Sequence, residues 1–235
     1  MDIKKNIFIL TGAGISKESG IQTFREKDGL WDNFRIEDVC TTEAFIRNPQ
    51  FVNDFYNQRK KKMNNAKIKP NAAHHELVKL EEKWEGEFLL VTQNIDNLHE
   101  KAGSKKIVHM HGTLDYAYCM NCYKKYKLDF ELSVDFVCEK CKFKGKVRVD
   151  VVWFGEQPKY LDLIYNFLDK TDIFLSIGTS NNVYPAAGFI DYLNSNRVNA
   201  DLYEFNIEKT NKSNFFTESF VGPASKTLKE FVGSI

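Results

Sequence analysis

This 235-residue chain contains five short, largely apolar runs, each followed at once by glycine or polar residues. They occupy residues 7–10, 88–91, 107–110, 173–177 and 202–205. Runs that are continuous rather than alternating are typical of strands buried on both faces, as in a parallel sheet. Helical patterns lie between them, one over residues 49–63 and one over residues 72–84 with Asn71 as its N-cap. The alternation of strand and helix predicts an open α/β sheet.

The segments that follow these runs predict where a ligand binds, because ligands of open parallel sheets bind outside the carboxyl ends of the strands. Together they offer glycine backbone, amides, hydroxyls, an aspartate and a histidine, which suits a phosphate-bearing ligand. In the first segment, Gly12 and Gly14 can bring backbone N–H groups to a phosphate. Lys17 stands where a dinucleotide-binding G-x-G-x-x-G motif has its third glycine, so this segment alone also fits a plain tight turn.

Four cysteines have the spacing C-x2-C-x15-C-x2-C, namely Cys119, Cys122, Cys138 and Cys141. Each pair can form a turn whose two thiolates face one ion, and two such turns complete a tetrahedron. Because four thiolates leave no position for water or substrate, we predict one structural zinc ion. Unliganded thiols or an iron–sulfur site are the alternatives. The surrounding segment, residues 115–148, interrupts the alternation of strand and helix, and we interpret it as an inserted small module.

Composition excludes several classes of protein. The 33 basic and 32 acidic residues give a formal net charge of +1, which provides no global field for nucleic acid or a membrane surface. No apolar run reaches the ~18 residues of a membrane span, and the first ten residues do not read as a secretory signal. Five cysteines, an odd number, argue against a disulfide framework, and we expect Cys40 to be a buried small hydrophobe. A zinc-ribbon nucleic-acid binder stays an alternative, since lysines lie between the cysteine pairs.

Five histidines are candidates for a general base. His74 and His75 lie early in the predicted helix after Asn71, and His99 lies at another helix start, where a packed or surface imidazole is expected. His109 and His111 alternate at the end of one predicted strand, so their side chains should share a face. The strand end favours this pair for catalysis, but periodicity does not choose between them.

Taken in order, these segments resemble the sirtuin family over nearly the whole chain, most closely the bacterial CobB-type sirtuins of class III. The matching motifs are residues 12–25, 92–99, 109–112, the four cysteines, and residues 151–156, 178–180, 183–187 and 222–225. The resemblance implies a Rossmann-like NAD-binding domain over residues 1–114 and 149–235, with a helical insertion near residues 35–70. It implies an inserted zinc-ribbon domain over residues 115–148. The implied activity is NAD-dependent removal of acyl groups from protein lysines, which releases nicotinamide and 2′-O-acyl-ADP-ribose.

The resemblance also implies residue roles. His111 would take a proton from the nicotinamide ribose, while Asn94 and Asp96 would hold the nicotinamide carboxamide. The residues implied in NAD binding are Gly12, Ala13, Gly14, Ser16, Thr23, Phe24, Arg25, Trp31, Gln93, Asn94, Ile95, Asp96, Gly178, Thr179, Ser180, Asn206, Ile207, Glu208 and Ala224. The residues implied in clasping the substrate peptide as an extra strand are Val152, Phe154, Gly155, Glu156, Val183 and Tyr184.

Tyr56 and Arg59 are candidates for recognising the acyl group of the substrate lysine. They stand three apart on the predicted helix over residues 49–63 and therefore share a face. They match the Tyr-x-x-Arg pair of class III sirtuins, which implies recognition of the carboxylate of succinyl-, malonyl- or glutaryl-lysine through charge-assisted hydrogen bonds. Without the resemblance, Arg59 and the three lysines after it would indicate a basic helix end favoured by the helix dipole.

We therefore expect a cytoplasmic, monomeric enzyme that acts on acyl-lysine proteins, acetylated as well as succinylated or malonylated, without nucleic-acid or membrane partners. The alternatives are a deacetylase with little desuccinylase activity, a mono-ADP-ribosyltransferase using the same NAD pocket, and a catalytically silent NAD-binding module. The set of Asn94, Asp96 and His111 argues against the silent module, which would not need it.

Overall fold

The computed structural model describes residues 2–22, 34–197 and 199–235. Its strands form a six-stranded and a three-stranded sheet. In chain order they are β1 (Ile7–Thr11), β2 (Phe88–Thr92), β3 (Ile107–His109), β4 (Gly112–Cys119), β5 (Lys125–Lys127), β6 (Val147–Val151), β7 (Ile173–Ile177), β8 (Asp201–Asn206) and β9 (Glu218–Val221). The larger sheet is parallel throughout, with the order β3-β2-β1-β7-β8-β9. All five predicted runs lie in it, so the α/β prediction is confirmed.

The helices that connect these strands are α1 (Gly14–Lys17), α2 (Ile36–Val39), α3 (Thr42–Arg47), α4 (Pro49–Met63), α5 (Ala72–Lys83), α6 (Leu98–Ala102), α7 (Leu161–Leu168), α8 (Phe189–Asn196) and α9 (Ala224–Gly233). The helix predicted over residues 49–63 has the predicted bounds. Asn71 caps α5 as predicted, since its Oδ1 accepts a hydrogen bond from Ala73 N at 2.9 Å. Among the described residues, no helix is long and apolar enough to cross a membrane.

Helices cover both faces of the larger sheet. On β1, the side chains of Phe8 and Ile9 point to opposite faces because successive residues of a strand alternate. Ile9 packs in one apolar cluster with Leu77 of α5 and Leu228 of α9. Phe8 packs in a second cluster with Phe189 of α8 and with residues of α7. Burial on both faces is why the strands read as continuous apolar runs in the sequence.

The strands of the larger sheet are aligned so that their carboxyl ends meet at one edge. Thr11, the last residue of β1, lies opposite Thr92 on β2 and opposite Ile177 on β7. Thr92 lies in turn opposite His109, the last residue of β3. On the other side, Ile177 lies opposite Phe205, near the end of β8. The polar segments that follow these strands are therefore neighbours, as the sequence predicted.

Strand order places a topological switch point between β1 and β7. From β1 the chain proceeds outward through β2 to β3, and from β7 it proceeds in the opposite direction through β8 to β9. Segments that leave two adjacent strands toward opposite sides leave a crevice between them, which is where ligands of such sheets bind. The segments beginning at Gly12 and Gly178 flank this crevice.

The smaller sheet is antiparallel, with the order β5-β4-β6. Its apolar side packs with α4 in a separate cluster that includes Phe55, Leu114 and Val149. The separate antiparallel sheet and its cysteine cluster agree with the predicted zinc-binding module. The domain boundaries near residues 115 and 148 stay predictions.

The four predicted zinc ligands form one cluster next to this sheet. Their sulfur atoms all lie within 4.8 Å of one another. The Sγ atoms of Cys119 and Cys141 are 3.6 Å apart, as are those of Cys122 and Cys138. Sulfurs at the corners of a tetrahedron with Zn–S bonds of about 2.3 Å are about 3.8 Å apart, so the cluster fits a zinc ion. A closed set of four thiolates makes a structural role the expected one.

We expect one zinc ion per chain and a strong stability loss when a ligand is removed. Cys138→Ser should abolish stoichiometric zinc and lower the midpoint of thermal unfolding by about 10 °C or more, since each kcal/mol shifts it by about 2–4 °C in a protein of this size. Elemental analysis and scanning calorimetry measure both effects. Cys40→Ser is the matched control, because Cys40 lies outside the cluster. A zinc content unchanged in Cys138→Ser would contradict the assignment.

Candidate active site at the carboxyl ends of the strands

The segments after β1 and β7 are in direct backbone contact. Gly14 N donates a hydrogen bond to Gly178 O at 2.8 Å, and Gly12 N donates one to Ile177 O at 2.9 Å. A Cβ atom on Gly14 would lie 2.7 Å from the Cα of Gly178, and Gly178 itself has a φ of +61°. These glycines are therefore required for the two segments to touch, a packing role that sequence reasoning missed. Their role toward phosphate groups stays a prediction.

Ser16 links the two predicted nicotinamide-pocket residues. Its hydroxyl donates a hydrogen bond to Asp96 Oδ2 at 3.0 Å and accepts one from Asn94 Nδ2 at 3.2 Å. Asn94 Nδ2 also donates to Gly12 O at 3.1 Å. All three side chains are buried, and burial raises the pKa of Asp96. Ser16, which the resemblance implies in NAD binding, thus lies between Asn94 and Asp96.

His111 lies in the turn between β3 and β4, so the prediction that it is part of the same strand as His109 was wrong. Its Nδ1 atom lies 3.1 Å from Gln93 O. A carbonyl oxygen only accepts hydrogen bonds, so Nδ1 carries the proton and Nε2 keeps its lone pair in the neutral ring. No group among the described residues is hydrogen-bonded to Nε2. Burial lowers the pKa of His111, which favours the neutral form.

His109 has a different environment, although it stands only two residues away. Its Nδ1 lies 2.9 Å from Asn94 O and its Nε2 lies 2.6 Å from Glu100 Oε1. Burial alone would lower the pKa of His109, but the hydrogen bond and charge of Glu100 outweigh it and raise the pKa. With both ring nitrogens engaged, His109 has no lone pair to offer as a base. The geometry therefore favours His111 of the two candidates.

Gln93 and Asn206 hold the segment after β7 from both sides. Gln93 Nε2 donates a hydrogen bond to Thr179 Oγ1 at 3.1 Å, and Asn206 Nδ2 donates one to Thr179 O at 2.8 Å. The structure thus brings residues from the ends of β2, β7 and β8 together. The neighbouring predicted NAD-binding residues at this edge are Ala13, Ser180, Ile207, Glu208 and Ala224, of which Ile207 and Glu208 are exposed.

Other predicted NAD-binding residues lie elsewhere. Ile95 packs against the apolar cluster of the smaller sheet. Its carbonyl accepts a hydrogen bond from Leu114 N at 2.9 Å, which ties the segment after β2 to β4. Four further residues predicted to bind NAD lie outside the described residues, namely Thr23, Phe24, Arg25 and Trp31.

The predicted acyl-recognition pair lies on α4, which faces the smaller sheet. The hydroxyl of Tyr56 accepts a hydrogen bond from Trp153 Nε1 at 2.9 Å and donates one to Cys40 Sγ at 3.5 Å. Tyr56 is buried, which raises its pKa well above the usual range. The guanidinium of Arg59 lies 3.1 Å from the ring centroid of Phe55, and burial lowers the pKa of Arg59 to about 10. Cys40 is buried, as the sequence predicted.

The first predicted peptide-binding segment, residues 152–156, continues from β6 and is pinned at its backbone. Val152 N donates to His111 O at 2.8 Å, and Phe154 N donates to Cys40 O at 3.0 Å. The Phe154 side chain is 51% exposed, and Gly155 follows it with a φ of +87°. Glu156 points back into the protein, where its carboxylate accepts two hydrogen bonds from Arg148 at 2.6 and 3.0 Å.

The second peptide-binding segment presents exposed side chains. Val183 is 41% and Tyr184 69% exposed. Exposed apolar side chains of this kind are available to contact a partner chain.

A buried polar network beneath the site was missed by sequence reasoning. Thr11 Oγ1 lies 2.9 Å from Thr92 Oγ1 and 3.1 Å from His99 Nε2, and the His99 ring packs against that of His74 with 4.8 Å between centroids. The Thr92 hydroxyl also accepts a hydrogen bond from Asn94 N at 3.1 Å. The available signal was a threonine at the end of two neighbouring apolar runs, since a polar residue there must find a buried partner.

Comparisons with known proteins agree with this geometry. The Sir2 family model matches residues 12–185. An NAD-dependent protein deacylase of Bdellovibrio bacteriovorus is 53% identical over 99% of this chain and 98% of its own length. An NAD-dependent protein deacylase of Escherichia coli K12 is 46% identical over 97% of this chain and 81% of its own length.

Solved structures give the same answer for the fold. A Sir2 homologue in complex with NAD superposes with a TM-score of 0.87 at 34% identity, covering 98% of this chain and 89% of that one. A Sir2 protein with a deacetylated peptide and an acetyl ADP-ribose superposes with a TM-score of 0.80 at 30% identity, covering 97% of this chain and 93% of that one. Matched by the family model over most of its length and similar to these proteins from end to end, the chain belongs to the Sir2 family.

Proposed function

We propose that this protein is an NAD-dependent protein deacylase that removes acidic acyl groups, such as succinyl and malonyl, as well as acetyl groups from lysine side chains. The products are nicotinamide and 2′-O-acyl-ADP-ribose. The observation that carries the proposal is the arrangement of His111, with Nδ1 bound to Gln93 O, beside the buried cluster of Asn94, Ser16 and Asp96.

The residues at the switch point fit an NAD molecule. Asn94 directs both amide hydrogens into the protein, to Gly12 and Ser16, and its Oδ1 has no hydrogen-bond partner among the described residues. An amide oxygen that no described group satisfies is suited to accept from the carboxamide of nicotinamide. When bound, NAD supplies an activated ribose carbon with nicotinamide as its leaving group.

The protein's part in the reaction is to orient groups and to move one proton. His111 is held neutral by burial and by the hydrogen bond from Nδ1 to Gln93 O, so Nε2 can take the proton of a ribose hydroxyl. Asn94 and Asp96 would hold the carboxamide, and Ser16 fixes both of them by hydrogen bonds. The cysteine cluster takes no part in the reaction, because four thiolates leave a zinc ion no open coordination position for water or substrate.

Recognition of acidic acyl groups is supported by the environment of Tyr56 and Arg59. Burial disfavours the charge of Arg59, and a substrate carboxylate would favour it. Tyr56 is a neutral phenol at any physiological pH, and its proton is directed at the sulfur of Cys40, which is only a weak acceptor. A carboxylate oxygen is a stronger acceptor, so the phenol can donate to a succinyl or malonyl group instead.

The peptide-binding segments support a protein substrate. Residues 152–156 are pinned by His111 O and Cys40 O, which leaves the exposed Phe154 at the surface. Val183 and Tyr184 present further exposed apolar surface. We also propose that the protein works as a monomer in the cytoplasm, where the cysteines of the cluster would stay reduced.

Initial rates on matched acetyl-, succinyl- and malonyl-lysine peptides, with and without NAD, test the function directly. We expect NAD-dependent turnover of all three peptides and release of nicotinamide in proportion to deacylated product. Transfer of labelled ADP-ribose to protein without acyl-lysine turnover would instead indicate a mono-ADP-ribosyltransferase. Turnover of the acetyl peptide alone would indicate a plain deacetylase.

His111→Ala should lower kcat at least ~100-fold, because general acid–base catalysis contributes about 10²–10⁴-fold. NAD binding, measured by titration calorimetry, should survive. His75→Ala is the matched control, since His75 is exposed on α5. A single-turnover rate near that of the wild type in His111→Ala would rule out His111 as the base.

The acid limb of the kcat/KM profile should lie below pH 6.5. Burial lowers the pKa of His111 below its ordinary value of 6.5, so the ring stays neutral and active until the pH falls through that lowered value. Activity is therefore retained through neutral pH and lost on further acidification. Rates measured from pH 5 to 8 check this, and an activity that is lost already between pH 8 and 7 would contradict it.

Arg59→Met should reduce desuccinylation roughly tenfold to 150-fold while largely sparing deacetylation, because a hydrogen bond to a charged group is worth about 1.5–3 kcal/mol. The measurement is kcat/KM on matched succinyl and acetyl peptides. Lys62→Met, an exposed position of the same helix, controls for the general positive charge of the helix end. Equal losses on both peptides in Arg59→Met, or an equal loss of desuccinylation in Lys62→Met, would refute the carboxylate assignment.

A further inference from the structure

We infer that His109 and Glu100 form a cationic positioning pair: His109 holds the carbonyl oxygen of Asn94 as a doubly protonated ring, and Glu100 keeps it protonated. The inference rests on the proposed function in one respect, that Asn94 lies at the nicotinamide end of the NAD site. His109 is a positioning residue here, since it acts through Asn94.

The number of protons on the His109 ring follows from the hydrogen-bond partners of its two nitrogens. Nδ1 lies 2.9 Å from Asn94 O and Nε2 lies 2.6 Å from Glu100 Oε1. A backbone carbonyl cannot donate a hydrogen bond, and neither can an ionised carboxylate. A neutral imidazole has only one N–H group, so it would leave one nitrogen lone pair facing an oxygen. Only the ring with two N–H groups satisfies both contacts.

The surroundings of His109 favour this charge. Glu100 on α6 faces the ring directly, and Asp96, in the segment before α6, adds a second nearby negative charge. His99 on α6 is the other titratable group that faces it, and burial lowers the pKa of His99 well below the usual range, so it adds no competing positive charge. The side chain of His109 is 13% exposed and that of Glu100 42%, so their ion pair is shielded from solvent on the His109 side only.

His109 and His111 thus bind two successive carbonyl oxygens, but only one of the two rings keeps a free nitrogen lone pair. His111 bonds to Gln93 O and keeps a basic nitrogen, while His109 bonds to Asn94 O and uses both nitrogens. Asn94 is then fixed at all its polar atoms but one. Its N donates to Thr92 Oγ1, its Nδ2 donates to Gly12 O and Ser16 Oγ, and its O accepts from His109. Only Oδ1 is left for a ligand among the described contacts.

The pair predicts a particular pH dependence. A raised His109 pKa means that the contact with Asn94 O is complete below that pKa and is lost as the pH rises through it. Glu100→Gln keeps an oxygen that can accept from Nε2 but removes the negative charge. The contact with Asn94 O, and the activity that depends on it, should therefore be lost at a pH about one to two units lower. A residue with a merely structural role would lower activity equally at every pH.

The first experiment compares kcat/KM for NAD of the wild type and Glu100→Gln from pH 6 to 9. We expect the two enzymes to be most alike at pH 6 and the variant to lose activity first as the pH rises, until it is about tenfold slower at pH 8.5. Glu82→Gln, which removes an exposed charge on α5, is the matched control and should follow the wild type at every pH. A constant ratio of wild type to Glu100→Gln across the range would overturn the inference.

The second experiment measures the charge of the ring itself. Long-range 1H–15N spectra of the wild-type protein recorded over a pH series, with the His109 signals assigned by their absence in His109→Gln, should show that the ring keeps protons on both nitrogens to a pH above its ordinary pKa of 6.5. A His109 ring that becomes neutral at or below pH 6.5 would overturn the inference even if Glu100→Gln does not fold. A wild type with a doubly protonated His109 but no NAD-dependent deacylation would leave the ion pair standing and refute the proposed function instead.

Discussion

The parallel register of β1, β2, β3 and β7 is the constraint on which the site depends. Thr11 is in register with Thr92 and Ile177, and Thr92 is in register with His109. The segments that follow these strands therefore begin at the same edge of the sheet. The hydrogen bond from Gly14 N to Gly178 O then closes the two segments at the switch point against each other. A shift of one residue in any of these pairings would turn the side chains to the other face and separate the groups that the site combines.

The site is built from backbone carbonyls as much as from side chains. The oxygens of Gly12, Gln93 and Asn94 each accept a hydrogen bond from a side chain of the site. A carbonyl oxygen accepts and never donates, so each contact dictates where a proton sits on its partner. This explains how two histidines in the sequence His-Met-His reach different protonation states: the carboxylate of Glu100 lies beside one ring, and no described carboxylate is hydrogen-bonded to the other.

Much of this architecture could be predicted from local patterns. The apolar runs marked five strands, Asn71 marked the start of α5, and the spacing of four cysteines predicted a cluster whose sulfurs lie within 4.8 Å. The family motifs supplied His111, Asn94 and Asp96. The error over His111 had a local cause: alternation suggested one strand, but the parallel partner β2 ends at Thr92, so the ladder stops at His109 and the chain turns.

By itself, the sequence determined five strands of the larger sheet, the N-cap of α5, the cysteine spacing and the family, since these depend on residues close together in the chain or on ordered motifs. Only the tertiary structure decided that Ser16 bridges Asn94 and Asp96 and that Thr11 is hydrogen-bonded to His99. It also decided that Glu100 lies beside the ring of His109, while no described carboxylate is hydrogen-bonded to His111. The first two contacts join residues 78 to 88 positions apart. The third depends on where α6 places Glu100. Their partners are selected by the packing of the sheet and its connecting segments, and no local pattern records that choice.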